Sequence, residues 1–466
     1  MEMIHQTQIK HLYWRAGFGH TLEDRQRLSG LSVSEVVNDL FKKSAQAENI
    51  EVIQESAPEF KEVLEMSKEE RRELIQKSRA LIRALNVKWL AHITNTQAQL
   101  REKMTFFWHG HFACQARSIY HAQQYVNTLR KYALGNFGDL VLAIAKEPAM
   151  LQFLNNQQNR KKQPNENFAR ELMELFTLGR GNYTEHDIKE SARAFTGWGF
   201  DGANYVFREQ AHDFDTKTFM GKSGNFNGDD IIRIILENPQ TAYFITKKIY
   251  QFFVSPQANE ARIHELAQSF YQSGYDMGAL MKQIFLADWF YAPENVGVRI
   301  KSPIELIAGL QRQLNMRFLT EDAPLFIQKL LGQILLFPPN VAGWPGGRSW
   351  IDSSTLMFRL KLPEALYKAS EITIAAKEDG DIQNDGLVKD KLNRFQGEFD
   401  WTILTKYFAK SSTSEELYTQ LSDFLLSKEA PNLKDYALNV LKQNLEHDRI
   451  KVLSILQCSL PEYQLC

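Results

Sequence analysis

Apolar residues recur at every third or fourth position through most of the chain, which is the period of an α-helix. Helix start and stop signals accompany this pattern. Ser302, followed by Pro303 and Glu305, combines an N-cap, a first-turn proline and a reciprocal acidic residue. Gly179 is the expected terminator of a helix from about 165 to 178. The pattern therefore predicts a mainly α protein built as a multi-helix bundle.

Strand-like alternation of apolar and polar residues is rare in the chain. The best example, at residues 203–209, reads ANYVFRE and predicts one arm of a short hairpin. We therefore expect a mainly α fold with at most a small β-hairpin near residues 200–210.

The length of the chain bounds its domain organisation. Its 466 residues exceed what one hydrophobic core usually sustains, so two or three packed regions are expected. We predict an N-terminal helical layer over residues 1–95, a central helical domain over 96–360 and a C-terminal region over 361–466. This last region contains a polar stretch at 373–400, which we expect to be a linker or surface excursion, and then a helical bundle.

Charge and cysteine usage exclude several classes of protein. The 55 basic and 56 acidic residues give a formal net charge of -1, which argues against a binder of duplex nucleic acid. The three cysteines have no short-spaced pair, which excludes a disulfide framework and a cysteine zinc site. The first residues lack the pattern of a signal peptide, and no apolar stretch has the length of a membrane span. We therefore predict a cytoplasmic protein without a membrane span.

The predicted helix at 165–178 carries the first group of chemistry-capable side chains. Glu171 and Glu174 are three positions apart and share one face, with Arg170 on an adjoining stripe. In an active site the glutamates would be metal ligands or general bases, and Arg170 would hold an anionic group or orient a carboxylate. A solvated helix face with a weak Glu166–Arg170 ion pair explains the same pattern.

The segment WHGHF supplies two histidines, His109 and His111. Residues two positions apart point to different faces of a helix but to the same face of an extended segment. Both histidines bind one metal only if Gly110 lets the backbone leave helical geometry. With carboxylates as further ligands, such a site suits a divalent metal: zinc, iron or manganese. The alternative is that each histidine is a hydrogen-bonded residue of the core.

A polar, glycine-containing stretch at 212–226 adds His212 and Asp213. This composition is typical of a loop, where catalytic groups tend to lie. His212 is the third candidate metal ligand, and Asp213 either orients an imidazole or caps the loop. Asp187 follows Thr184 in a capping pattern at the start of another helix and is the last candidate catalytic residue.

Two loops, at 196–200 and 337–352, are rich in tryptophan and glycine. Their indole rings offer a flat apolar face to a glycan or aromatic ligand, whereas many such loops only clamp helices together. We expect a structural role for Trp344 and leave the role of Trp198 open. The chain has no GxSxG elbow, no HExxH helix and no GxGxxG after a predicted strand, which excludes the common hydrolases and dehydrogenases built on those motifs.

Several segments, in order, resemble the bacterial family known as domain of unknown function 1800. They are HLYWRAGFG, FWHGHF, EPAMLQFLNN, PNENFARELMELFTLGRGNYTEHDIKESARAFTGW, HDFDTKTFMG and PPNVAGWPGGRSWI, between about residues 11 and 360. The resemblance implies a largely helical bacterial protein and brings no activity with it. It also implies a partner of a sulfatase-like family. Many relatives carry aspartate in a Leu-Asp-Asn run where this chain has Asn155.

Two functional hypotheses follow. In the first, the protein is a metal- or acid/base-dependent hydrolase for a small molecule or glycan, with its site formed by the histidine, glutamate, aspartate and arginine residues above. In the second, it is a non-enzymatic binding or assembly protein in which the same residues form a buried structural network. An open cavity surrounded by these side chains would favour the first hypothesis, and a sealed core with paired polar atoms would favour the second.

Overall fold

The computed structural model describes residues 3–369, 396–430, 433–442 and 448–466. Helices make up 63% of the structure and strands 6%, so the prediction of a mainly α fold is confirmed. The α-helices of the described residues are α1 (Gln6–Arg15), α2 (Leu22–Leu28), α3 (Val33–Lys43), α4 (Phe60–Glu65), α5 (Lys68–Asn95), α6 (Gln99–His111), α7 (Ile119–Tyr132), α8 (Phe137–Lys146), α9 (Pro148–Phe153), α10 (Asn167–Glu171), α11 (Glu185–Ala194), α12 (Gly228–Glu237), α13 (Pro239–Phe253), α14 (Glu260–Gln272), α15 (Met277–Leu286), α16 (Pro303–Gln313), α17 (Ala323–Leu331), α18 (Ser353–Lys368), α19 (Thr402–Phe408), α20 (Ser414–Leu425), α21 (Lys434–Lys442) and α22 (Arg449–Cys458).

Shorter helical segments join these elements. A π-helix, Leu172–Thr177, continues directly from α10. Short 3-10 helices lie at Asn156–Gln158, Glu209–Ala211, Asp288–Tyr291, Pro293–Asn295, Gly347–Trp350 and Glu462–Gln464.

The strands of the described residues form three antiparallel pairs. They are β1 (Trp198–Asp201) with β2 (Asn204–Phe207), β3 (Lys217–Phe219) with β4 (Lys222–Gly224), and β5 (Met316–Phe318) with β6 (Gly397–Phe399). The first pair confirms the hairpin predicted near residues 200–210. The other two pairs were not predicted, because strands of three residues are too short for alternation to be recognisable.

Helix α6 is central to the fold, since all of its residues except Gly110 are buried. Its charged side chains are paired inside the protein. Glu102 accepts a hydrogen bond of 2.8 Å from Nε of Arg130, and Lys103 forms a buried ion pair with Glu305 at the start of α16. Both pairs fix α6 against its neighbours, because a buried charge without a partner is costly.

The buried apolar residues form two clusters on the two sides of α6. One includes residues of α1, α3 and α8–α15, and the other includes residues of α5, α16–α18 and α19–α22. Trp89 of α5 packs in the same cluster as Leu421 of α20. The division into regions 1–95, 96–360 and 361–466 stays a prediction, and residues 370–395 of the polar stretch at 373–400 lie outside the described residues.

Helix α4 and the first turns of α5 lie at the surface. None of the residues of α4 is buried. Phe60 is 65% exposed and Ile75 of α5 is 52% exposed. Among the described helices, none is both long enough and apolar enough to cross a membrane.

Candidate functional site

The predicted helix at 165–178 is present, but its second half is a π-helix. Because the last carbonyl groups of a helix have no partner within it, they must accept hydrogen bonds from elsewhere. The Leu175 oxygen accepts one of 3.0 Å from Nζ of Lys248, and the Phe176 oxygen lies 3.0 Å from Nε2 of His111. Two conspicuous polar side chains therefore hold the end of this helix in place.

His111 uses both ring nitrogens inside the protein. A carbonyl oxygen only accepts hydrogen bonds, so Nε2 carries the proton that is donated to Phe176. The lone pair on Nδ1 is then free to accept from Nζ of Lys248 at 3.2 Å. Burial lowers the pKa of His111 well below its usual range and lowers the pKa of Lys248 to about 8. A metal at Nδ1 would have to displace Lys248.

His109 lies on a different face of α6 from His111. The helix continues through Gly110, so the change of backbone geometry that a shared metal requires does not occur. Nε2 of His109 accepts a hydrogen bond of 3.2 Å from the backbone N–H of Leu336, and its ring packs against Trp344 at 5.2 Å between centroids. Burial lowers its pKa to about 3. His109 is thus packed as a core residue.

The loop from 337 to 352 crosses α6 at Gly110. Gly343 has a φ of 77°, and a Cβ atom there would clash with the backbone oxygen of Gly110. Gly343 is therefore needed for the close approach of the two backbones, whereas a Cβ atom at Gly110 would meet no other atom within 4 Å. The ring of Trp344 beside His109 is consistent with the structural role expected for that tryptophan.

His212, the third candidate metal ligand, makes its contacts in another part of the protein. Its Nδ1 donates a hydrogen bond of 2.8 Å to the Thr196 oxygen, and its ring packs against Phe207 and Phe214. Among the described residues, no group of three or more histidine, cysteine, aspartate or glutamate side chains is arranged to hold a metal ion. This arrangement does not support a metal at the three histidines.

The structure brings Arg170, Glu171 and Glu174 together on one helix, but two of the three are paired. Arg170 donates two hydrogen bonds of 2.9 Å to Glu185. Glu174 accepts one of 2.9 Å from the hydroxyl of Tyr183. Glu171 has no side-chain hydrogen bond to a described residue, and partial burial and the nearby Glu174 raise its pKa.

The two candidate aspartates hold backbone in place. Asp187 accepts hydrogen bonds from Thr184, as predicted for a capping box, and one of 2.8 Å from the backbone N–H of Met220. Asp213 forms an ion pair of 2.7 Å with Nε of Arg193 and accepts from the backbone N–H of Asp215. It caps the loop, the second of the two roles considered for it.

A large cleft lies apart from these paired residues. Its volume is about 1340 Å³, and we call it the basic cleft. Apolar side chains of α4 and α5 form part of its lining, and the rest comes from the start of α7, the segment 157–162 and the β1–β2 hairpin. Its principal lining residues are Phe60, Val63, Leu74, Ile75, Arg117, Ser118, Tyr120, His121, Gln152, Gln157, Gln158, Asn159, Arg160, Lys161, Lys162, Phe200, Asp201, Arg208, Glu209 and Gln210.

Backbone contacts fix the segment 157–162 as the floor of the basic cleft. Asn155 adopts the left-handed conformation with a φ of 56°, which asparagine tolerates better than most residues. The buried amide of Asn159 donates a hydrogen bond of 2.8 Å to the Ala192 oxygen of α11. The backbone N–H of Lys161 donates to the Ala211 oxygen at 2.8 Å. With the main chain held in this way, the neighbouring basic side chains project into the cleft or its rim.

Positive charge exceeds negative charge around the basic cleft. Five cationic side chains line it, against the two carboxylates of Asp201 and Glu209. The five are Arg117, Arg160, Lys161, Lys162 and Arg208, and none of them forms an ion pair with a described residue. Asp201 is also committed, because it accepts a hydrogen bond of 2.6 Å from the backbone N–H of Phe60.

Several neutral polar side chains in the basic cleft also lack a hydrogen-bond partner among the described residues. Six of them make no side-chain hydrogen bond within the described part of the chain: Ser118, Tyr120, Gln152, Gln157, Gln158 and Gln210. The Oε1 atoms of Gln152 and Gln157 are buried without a partner. Most buried polar atoms in proteins are paired, so these two oxygens retain unused capacity to accept hydrogen bonds.

A histidine, His121, is among the residues that line the basic cleft. Its Nε2 donates a hydrogen bond of 2.9 Å to the Gly202 oxygen in the turn between β1 and β2. The lone pair therefore lies on Nδ1, which has no partner among the described residues. Burial lowers the pKa of His121, so the ring is neutral at pH 7.

The basic cleft was not predicted from the sequence. The predicted site residues are histidines, carboxylates and one arginine, whereas the cleft is lined mainly by other arginines, lysines and glutamines. The run NRKKQ at 159–163, with three adjacent cations between amides, is the signal that points to it.

Comparison with known proteins gives one match. The family model described as "Protein of unknown function (DUF1800)" matches residues 11–465, nearly the whole chain. The resemblance found in the sequence is thereby confirmed and extends through the C-terminal region. No curated protein and no solved structure matches the chain.

Proposed function

We propose that this chain, which belongs to the DUF1800 family of proteins of unknown function, binds an organic anion in the basic cleft. The proposal keeps the second hypothesis, a binding protein, but assigns binding to residues other than those predicted from the sequence. The observation that carries it is the contrast between the two regions. Most of the predicted polar residues are paired within the protein, whereas the five cations of the basic cleft form no ion pair with a described residue and four of its glutamines make no side-chain hydrogen bond to one.

An anion is favoured by the charge of the cleft. A surplus of positive charge in a concave, partly apolar site attracts anions more strongly than the same charges on an open surface. Arg117, Arg160 and Arg208 present planar guanidinium groups, which bind carboxylate, sulfate or phosphate with two parallel hydrogen bonds. The overall charge of the chain is balanced, so this surplus is local.

An organic ligand is favoured by the apolar part of the lining, which comes from α4 and α5. Phe60 and Ile75 line the cleft and are each more than half exposed. Contact with an apolar ligand surface would remove that area from water, which contributes about 25 cal/mol for each Å² buried. An inorganic anion would leave this part of the lining unused.

Equilibrium binding of two aromatic ions tests the proposal. Naphthalenesulfonate and naphthylmethylammonium share a ring and differ in the sign of their charge. We expect the anion to bind at least about tenfold more tightly, and the double variant Arg160→Gln, Lys162→Gln to weaken its binding by about tenfold or more. Arg348→Gln, which changes an exposed arginine outside the cleft, is the matched control. Equal binding of both ions, or equal effects of the two variants, would contradict the proposal.

A hydrolase is the second candidate, because His121 offers a neutral base at the same cleft. Its proton is held on Nε2 by Gly202, which leaves the Nδ1 lone pair unpaired. Nδ1 is itself shielded from solvent, so the side chains around it would have to move for it to act as a general base. A nitrophenyl ester of a dicarboxylic acid is a suitable substrate. In an enzyme, His121→Asn would abolish release of nitrophenol while binding persists, and absence of turnover by the unmodified protein would exclude this candidate.

A metal cofactor, a sulfatase-like partner and a cytoplasmic location all stay predictions. No contact within the described residues bears on the partner or the location.

A further inference from the structure

Two smaller cavities adjoin the basic cleft and extend it in two directions. One, of about 720 Å³, shares Gln158 and Arg160 with the cleft. The other, of about 570 Å³, shares Ala57 and Tyr120 with it. The shared lining residues show that the three cavities are neighbours on the surface, and we call the three together the groove.

The flanking cavities do not have the positive surplus of the centre. The first adds Glu166 to the shared Arg160, and the second contains Lys131 with Glu51 and Glu55. The groove is therefore basic in the middle and close to neutral or acidic at its ends. A ligand complementary to this charge distribution would carry negative charge near its centre and uncharged polar groups on either side.

The side chains of the groove match the surfaces of a sugar. A sugar ring has an apolar C–H face and a rim of hydroxyl groups that both donate and accept hydrogen bonds. Phe60, Tyr120 and Phe200 supply rings for the C–H face. The uncommitted amides of the cleft, such as those of Gln158 and Gln210, donate and accept like the hydroxyl groups they would contact. A plain alkyl or aryl anion would leave these amides unused.

We infer that the ligand is an acidic oligosaccharide that lies along the groove, with an acidic sugar at the basic cleft and neutral sugars in the flanking cavities. This inference rests on the proposed function and adds the class and the length of the ligand. Arg160 lies at a junction and would contact the acidic group. Gln163, an exposed side chain of the 720 Å³ cavity, would contact a neutral sugar beyond it.

Calorimetric titration with oligosaccharides of increasing length tests the inference. The probes are chains of alternating glucuronic acid and N-acetylglucosamine with two, four and six sugars, a neutral N-acetylglucosamine hexamer, and free glucuronate. We expect affinity to rise by about tenfold or more from the disaccharide to the hexasaccharide, and the neutral hexamer to bind at least about tenfold more weakly than the acidic one. A sulfated hexasaccharide distinguishes a sulfate ester from a carboxylate as the preferred acidic group.

Variants of the groove separate this inference from the proposed function. Gln163→Ala is expected to weaken binding of the hexasaccharide and to leave the disaccharide unaffected, whereas Arg160→Gln weakens both. If free glucuronate and naphthalenesulfonate bind through Arg160 but longer chains bind no more tightly, the inference is wrong and the proposed function stands. If neither the sugars nor the aromatic anion binds, both are wrong.

Discussion

Nε2 of His121 lies 2.9 Å from the carbonyl oxygen of Gly202, so that a buried imidazole ties α7 to the turn of the β1–β2 hairpin. The same turn contacts the segment before α4, since a Cβ atom at Gly202 would lie 3.2 Å from the Ala57 oxygen. Three segments that line the basic cleft therefore meet at Gly202: α7, the turn between β1 and β2, and the segment before α4. Both the neutral and the protonated imidazole can donate this hydrogen bond, but burial of the ring opposes its protonation and so links this part of the structure to pH.

Acid is expected to destabilise the protein in the range where unfolded histidine titrates. Burial lowers the pKa of six histidines below the ordinary value of 6.5: His11, His20, His109, His111, His121 and His212. Below pH 6.5 the unfolded chain binds protons that the folded chain does not, so the free energy of unfolding falls as the pH falls. Each such histidine contributes about 1 kcal/mol per pH unit. Urea unfolding between pH 8 and pH 5 measures this, and constant stability from pH 7 to pH 5 would contradict it.

Replacement of His111 is expected to weaken the fold without changing metal content. His111→Ala removes the hydrogen bonds to Phe176 and Lys248 and leaves a buried gap, with a cost of about 3 kcal/mol in the free energy of unfolding. His186→Ala, at an exposed position of α11, is the control and should change stability by less than about 0.5 kcal/mol. Urea unfolding and metal analysis of both variants measure these effects. Loss of a bound metal with His111→Ala would favour the metal hypothesis instead.

The close approach of Gly343 to Gly110 is expected to be sensitive to a single methyl group. Gly343→Ala places a Cβ against the Gly110 oxygen, whereas Gly347→Ala adds a methyl group in open space at a similar positive φ of 56°. Both variants therefore pay a similar free-energy cost for a non-glycine residue at positive φ. The difference between their free energies of unfolding then measures the clash with the Gly110 oxygen. We expect Gly343→Ala to be less stable than Gly347→Ala by about 2 kcal/mol in thermal or urea unfolding. Equal stabilities would show that the loop moves away freely.

Variants of the helix at 165–178 should leave ligand binding unchanged. Arg170→Gln removes a partly exposed ion pair with Glu185, and Glu174→Gln weakens a contact with Tyr183. Such pairs contribute about 0.5 kcal/mol to stability, and neither residue lines the basic cleft. The affinity for naphthalenesulfonate is therefore expected to stay within about twofold of that of the unmodified protein. A tenfold loss of affinity in either variant would show that the predicted residues, and not only the basic cleft, take part in binding.

The fold was largely predictable because its signals are local. Helical period, the caps at Thr184 and Ser302, and the stop at Gly179 all act within a few residues of the chain. The π-helix was not predictable, since it depends on donors from Lys248 and His111, which come from distant helices.

The site was harder to predict because residue type does not reveal pairing. His111, Arg170 and Asp213 are typical catalytic residues by type, and each is bound to a partner far along the chain or across a loop. The residues of the basic cleft are ordinary surface cations by type. What distinguishes Arg160 and Lys162 is a shared cavity without neutralising partners, and that property exists only in three dimensions.

Charge reversal in the basic cleft tests the central claim most directly. Arg160→Glu together with Lys162→Glu changes the local charge by about four units while the apolar part of the lining stays the same. The ratio of the two dissociation constants, for naphthalenesulfonate and naphthylmethylammonium, is measured in both proteins. We predict that the unmodified protein prefers the anion and that the reversed variant prefers the cation. An unchanged preference for the anion in a folded, equally stable variant would contradict the account.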